Sequence, residues 1–347
     1  MHVTEPFLTT VVGSMPKPSW LFEPNKFHSA TKDHHGSGSD WAFEGHLLQD
    51  AQDDATRAAI HTQERVGLDI ISDGEMRRKS YLTYITMRLE GFDYETLAEK
   101  WIRDGRRLGH VGRCVGPVRR TAPIVVEHLR FLLAESRTPV KITLPSPMTV
   151  VDSTFDEHYR DERALAMDIA AAINAEAREL DALGPAVIQF DEPVFSRYPE
   201  KVAAWGIEAL DRCTDGLTAK TAVHVCYSYP SPDLERPIKP SYPVILKELD
   251  RSRIDQLALE FEAPQLDPEL LQNCPSKTVL FGCIDNGTEE VETPEAVATR
   301  LLEAAKYLPA NQIQAAPDCG LMPLSRAAAE AKLAAMVKGA QLARDRL

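Results

Sequence analysis

Within the run TAVHVCYS (221–228), His224 and Cys226 bring an imidazole and a thiol two positions apart. Side chains of an extended strand alternate between its faces, so these two point the same way. Glu260 closes the next apolar run, LEFE, and Cys319 closes the last, PDCGL. One nitrogen, two sulfurs and one carboxylate oxygen form a set suited to tetrahedral zinc. An HxC pair alone is a weak signal, because a buried His beside a Cys is common. Four suitable donors at three strand ends are a stronger one. Other run ends carry Gly13–Ser14, Asp73–Gly74–Glu75, Asp191–Glu192, Asp285 and Asp318. Asp285 and Asp318 are the candidates for a hydrogen bond that orients His224 from behind.

Eight short apolar runs must position these residues: 9–14, 68–75, 140–147, 187–193, 221–228, 255–262, 278–285 and 314–321. Most are rich in Val, Ile, Leu and Phe, as strands buried on both faces of a parallel sheet are. The eighth is Ala-rich and the least strand-like. Helical stretches lie between, at 48–66, 161–183, 293–307 and 325–345, with Thr293 as a cap and Pro294 at the first helical position. Strands alternating with helices predict an α/β fold, a (β/α)8 TIM barrel, whose chemistry gathers at the C-terminal strand ends. A doubly wound open sheet is the alternative, but no GxGxxG or P-loop follows the first run. Two stretches exceed the simple plan. About 23–47, with HHGSGSD, reads as an extended first βα loop, solvated and placed to act as a lid. About 88–138 reads as a hairpin and an extra helix inserted after strand 2. Residues 1–347 read as one domain.

The 347 residues carry a net charge of −13, with 44% hydrophobic and 26% charged residues. An acidic chain repels phosphate backbones, so nucleic acid is not an expected partner. No stretch has the length of a membrane span, and MHVTEPFLTT lacks the basic-then-apolar pattern of a secretory signal. Six cysteines without a signal point to reducing cytoplasm and to free thiols rather than a disulfide framework.

The motifs VGSMP, DGE, FDEP, HVCYS, LEFE and PDCGL stand in the order found in the catalytic barrel of the cobalamin-independent methionine synthase family. From about residue 9 to about residue 340 the chain resembles that barrel, and HVCY with PDCGL is the specific part. Shorter archaeal-type methionine synthases and epoxyalkane:coenzyme M transferases share it. The resemblance implies a zinc-dependent methyltransferase, with Zn2+ held by His224, Cys226, Glu260 and Cys319. It implies a thiol, homocysteine first, activated as a zinc-bound thiolate that attacks a methyl donor and forms methionine. Two thiolates and a carboxylate leave such a centre net negative, which keeps the substrate sulfur nucleophilic. The resemblance also puts Ser14 on the homocysteine carboxylate, and Glu75 and Asp191 on its ammonium as catalytic, substrate-binding groups. The bland alternatives are salt bridges from Glu75 and Asp191 to Arg77, Arg78 or Arg197, and a turn or cap role for Ser14.

The chain also departs from the family. At this length it has no room for the N-terminal barrel of the two-barrel enzymes. Ser153 stands where those enzymes stack a Trp on the folate pterin, and Gly287 where a His helps protonate the folate leaving group. Three readings follow. Homocysteine is methylated by a donor other than the usual folate polyglutamate, for instance a methylcorrinoid protein. Coenzyme M attacks an epoxide, its sulfonate held by Arg77, Arg78 or Lys79. The zinc is structural and nothing turns over. The presence of both Glu75 and Asp191 favours the first.

Overall fold

The computed structural model describes residues 5–22, 41–105, 107–227 and 241–347. Its strands are β1 (Glu90–Ile102), β2 (Arg107–Arg119), β3 (Lys141–Pro145), β4 (Thr154–Asp156), β5 (Val187–Asp191), β6 (Lys220–Val225), β7 (Gln256–Leu259), β8 (Thr278–Ile284) and β9 (Ile313–Pro317). The main sheet is parallel, in the order β3-β5-β6-β7-β8-β9. Every residue of β3, β5, β7 and β9 is buried, which explains why these runs show little polar alternation outside β3. The Ala-rich eighth run is a full strand.

The first two predicted strands are reduced to single bridges, all parallel: Thr9 with Ala315, Thr10 with Ile70, and Ile71 with Val140. They run from the β9 edge of the sheet to its β3 edge. Side chains supply what the short ladder lacks. The Asp69 carboxylate accepts from Thr9 N (2.7 Å) and Thr9 Oγ1 (2.8 Å), and Ser72 Oγ donates to the Gly13 carbonyl (2.6 Å).

The predicted helices are Gly45–Val66, Glu162–Asp181, Pro294–Ala304 and Arg326–Arg344. Three begin on side-chain caps, Asp161, Thr293 and Ser325, each accepting from backbone N–H groups of the first turn. The first helix starts inside the stretch read as a loop to residue 47. Ahead of it, Trp41 bridges to Phe22 and stacks on its ring at 4.6 Å. The proposed lid at HHGSGSD lies outside the described residues. Among the described residues no helix is long and apolar enough to cross a membrane.

The long insertion is the expected hairpin, β1 against β2 in antiparallel register from Glu90–Arg119 to Ile102–Arg107, followed by the helix Val126–Glu135. β4 adds to β2 in parallel. The hairpin turn places Arg103, Asp104 and Gly105 at positive φ. Its tip is pinned beyond the ends of β3 and β5. Arg103 N donates to Asp152 Oδ2 (3.1 Å), Asp104 N to Tyr198 Oη (2.6 Å), and Lys100 Nζ to the carbonyls of Val151 (2.9 Å) and Thr154 (2.7 Å).

Candidate active site

His224 is the penultimate residue of β6 and Cys226 the first beyond it; Glu260 stands one residue past β7 and Cys319 two past β9. All four are buried, and one ligand-type atom from each lies within 4.8 Å of the other three. The two Sγ atoms are 3.8 Å apart and both thiols are free. That separation is about what two thiolates at ~2.3 Å from one tetrahedral ion would have. Glu260 Oε1 accepts from Tyr227 N (2.7 Å). Tyr242 Oη donates to the Val225 carbonyl (2.8 Å) and receives Glu260 N (3.3 Å), tying the ends of β6 and β7 together.

The donor chemistry fits a dication. Burial, then the charges of Cys226 and Asp318, push the Glu260 carboxyl well above its ordinary range. The Cys226 thiol is pushed well up by its Cys319 neighbour and then by burial. His224 Nε2 is buried without a hydrogen-bond partner among the described residues. Groups that burial keeps from ionising, beside an unpartnered imidazole nitrogen, are what a bound metal would satisfy.

Behind His224 stands Asp191. The register of β5 and β6 sets these two residues side by side, with Asp191 Oδ1 at 3.6 Å from His224 Nδ1. Gln189 Nε2 donates to the same oxygen (2.8 Å). Burial alone would lower the His224 pKa; the Asp191 contact and the Cys226 and Glu260 charges outweigh it and raise it. The two aspartates expected in this role are used elsewhere. Asp318 accepts from the backbone amides of Phe261, Glu262 and Ala263, and Asp285 from Gly287 N. They hold the turns around the site rather than the imidazole.

Glu75 adopts a left-handed backbone (φ 57°) and its Oε1 accepts from Thr143 Oγ1 (2.9 Å). A Cβ on Gly13 would stand 2.9 Å from that oxygen, so a larger residue there would push the Glu75 carboxylate aside. Burial pushes the Glu75 carboxyl up; Arg78 opposes this, and the nearby Asp191 and Asp73 add to it. Ser14 is buried between two site turns: its carbonyl accepts from Leu321 N (2.8 Å), and Met15 N donates to Gly74 O (3.1 Å). Of the arginines considered as salt-bridge partners, Arg77 pairs with Asp53 (2.5 Å). Arg78 comes only to 4.0 Å from Glu75 and donates instead to Thr143 O (2.9 Å) and Oγ1 (2.8 Å).

Several site residues escaped the sequence reading. Lys141 Nζ donates to Val11 O and Gln189 also to Val12 O, both from the first segment. Lys17 is buried and interacts electrostatically with Glu75 and Asp73. Arg103, at the hairpin tip, donates to Tyr81 Oη (3.3 Å), and both feel the charge of Cys226. A signal for some of these was present: Lys141 and Thr143 alternate with Ile142 and Leu144, and Gln189 shares a strand face with Asp191. Ser153 is buried where it ends the helix Pro147–Asp152, and Gly287 is exposed.

A parallel sheet with helices thus carries at its strand ends two thiols, an imidazole and a carboxylate that could together hold a metal ion, with two further carboxylates close by. Residues 7–342 match the family model described as the cobalamin-independent synthase catalytic domain. A methionine synthase of Sulfurisphaera tokodaii is 33% identical over 340 residues, covering 98% of this chain and 93% of that protein. One from Saccharolobus solfataricus is 31% identical, covering 98% and 95%. The solved structure of a B12-independent methionine synthase from a Shewanella species, in complex with selenomethionine, superposes with a TM-score of 0.90. It is 36% identical and covers 98% of both chains. A methyltransferase from Methanosarcina mazei, 13% identical with a TM-score of 0.60, shares the fold. The chain belongs to the cobalamin-independent methionine synthase family, and it is a methyltransferase.

Proposed function

We propose that this chain, one catalytic domain over residues 1–347 working in reducing cytoplasm, is a zinc-dependent enzyme that methylates homocysteine to methionine. We read the sheet and its bridging segments as a closed (β/α)8 barrel with the site at its C-terminal mouth. His224, Cys226, Glu260 and Cys319 hold the zinc, and Asp191 fixes the imidazole from Nδ1. Zinc bound there is a Lewis acid that makes a thiol available as its thiolate at neutral pH. Glu75 and Asp191 take the substrate ammonium through charge-assisted hydrogen bonds, and Ser14 takes the carboxylate. The Ser14 carbonyl accepts from Leu321 N, two residues past Cys319, so the turn offered to the amino acid lies beside the turn that carries a cysteine ligand. The observation that carries this reading is the cluster of four donor atoms within 4.8 Å.

Of the two candidate methyl donors, a folate or a methylcorrinoid carried on a protein, we favour the second over the usual folate polyglutamate. Ser153 offers no aromatic face for a pterin and Gly287 no proton for a folate leaving group. The coenzyme M reading has less support, because Arg77 and Arg78 are already engaged by Asp53 and Thr143. Methionine formation from methylcobalamin and from methyltetrahydrofolate triglutamate, in zinc-loaded and chelator-stripped protein, tests both statements. The expected result is metal-dependent turnover with the corrinoid only. Full activity in zinc-free protein would sink the zinc claim, and efficient use of the folate would sink the donor claim.

A further inference from the structure

Thr143 stands in the middle of β3, 1% exposed, and its one hydroxyl touches both a cation and an anion. Arg78 Nη1 lies 2.8 Å from Thr143 Oγ1 and 2.9 Å from the Thr143 carbonyl oxygen. Thr143 Oγ1 lies 2.9 Å from Glu75 Oε1. The guanidinium and the carboxylate face each other only at 4.0 Å, so the hydroxyl stands between them. The turn that brings them together is held by Arg78 N donating to the Glu75 carbonyl (3.0 Å), with Glu75 at φ 57°. Arg78 is 1% exposed and Glu75 8%, so of the three groups the carboxylate is the one a ligand can reach. Gly13, the residue before Ser14, packs against the pair: a Cβ there would stand 3.0 Å from Thr143 Cγ2 and 2.9 Å from Glu75 Oε1.

A hydroxyl has one proton to give and lone pairs with which to receive, whereas a guanidinium only donates and stays charged. Arg78 Nη1 is therefore the donor at Thr143 Oγ1, which leaves the single Thr143 proton for Glu75 Oε1. The order runs one way, from cation to hydroxyl to carboxylate. A carboxyl protonated at Oε1 would turn its own hydrogen against the Thr143 proton. The arrangement thus favours Glu75 as an anion, the form that accepts a charge-assisted bond from an ammonium. A direct ion pair would occupy the carboxylate with Arg78; the interposed hydroxyl keeps the two apart. Resting on the homocysteine reading, we propose that Thr143, its hydroxyl directed by Arg78, is a positioning residue that keeps Glu75 an ionised acceptor for the substrate ammonium, and so sets the preference for amino-acid thiols over thiols that lack the ammonium.

Calorimetric titration of the zinc-loaded full chain tests this, with homocysteine and with 4-sulfanylbutanoate, which keeps the thiol and carboxylate and lacks the ammonium. Thr143→Val keeps the shape and removes the proton. It is expected to weaken homocysteine about tenfold, the lower end of what a hydrogen bond to a charged group contributes. It should leave 4-sulfanylbutanoate unchanged or tighter. Thr143→Ser returns the hydroxyl without the methyl and should restore the homocysteine preference, which a role in packing alone would not do. Thr143→Ala, which leaves room beside the guanidinium, carries the test if Thr143→Val does not fold. Equal weakening of both ligands would make Thr143 a mere support and overturn the proposal. So would unchanged homocysteine binding, or a Thr143→Ser that behaves like Thr143→Val. Wild-type protein that bound homocysteine no tighter than 4-sulfanylbutanoate would overturn the proposal and leave the zinc–thiol reading standing. If it bound no homocysteine at all, the function reading itself would fall, and this inference with it.

Discussion

The proposed function gives Asp191 two duties, one toward His224, which it faces at 3.6 Å, and one toward a substrate ammonium, and a single substitution separates them from the ligands themselves. Asp191→Asn keeps the shape and removes the charge behind the imidazole. Zinc affinity should fall about 10- to 100-fold, as losses of ligand-orienting groups do, and homocysteine binding should weaken as well. Competition with a chromophoric chelator measures the first and calorimetry the second; unchanged zinc affinity would contradict the orienting role. Cys226→Ser and Cys319→Ser should cost more than that and leave protein that purifies with little zinc, read by elemental analysis. At this scale the four candidate ligands were legible, because each is an unusual donor type ending an apolar run. Glu75, Asp191 and Ser14 came through motif resemblance. The Asp191–His224 contact was not legible: it depends on the register between β5 and β6, which spacing along one strand does not give. Asp285 and Asp318 were equally good guesses by position and proved to be turn holders.

The strands place the ligands only if their connecting turns are held, and the sharpest case is Gly282 in β8. A Cβ there would stand 2.0 Å from Asp318 Oδ1 and 2.7 Å from Leu259 O. Asp318 in turn gathers the amides of residues 261–263 just past Glu260. Gly282→Ala should therefore destabilise the fold by about 1–3 kcal/mol, as overpacking does, and lower zinc affinity in the same protein. Thermal unfolding with and without zinc checks it; a variant as stable as wild type would show that the neighbours give way. Six of the eight predicted strands were legible as continuous apolar runs, including the Ala-rich one, whose Ala315 and Ala316 are fully buried. The first two were overcalled, since TTVVGS and LDIISDGE pair through single residues and side-chain bonds. The hairpin insertion was legible from length alone; what its tip does was not, because Arg103 reaches Tyr81 only through tertiary packing.

For the molecule as a whole, buried titratable groups outside the four candidate ligands predict how stability responds to acid. His128 is buried, with Nε2 at 2.9 Å from Tyr84 Oη. Burial, then Arg78, lowers it from 6.5 to about 3. Its folded value lies below its unfolded one, so its contribution is complete above pH 6.5 and is lost as pH falls toward 3. By pH 5 the loss is about 2 kcal/mol. Glu192, raised to about 7 mainly by burial, acts in the opposite sense over the upper part of that range. The informative quantity is thus the difference between wild type and His128→Gln. Urea midpoints at pH 7 and pH 5 should fall less in the variant; equal falls would contradict the assignment. The central claim is that the candidate active site takes a thiol onto zinc, and zinc K-edge X-ray absorption tests it most directly, on the zinc-loaded protein alone, with homocysteine, and with coenzyme M. The account predicts two sulfurs in the resting shell, a third with homocysteine and none added by coenzyme M. A shell that homocysteine leaves unchanged would contradict it.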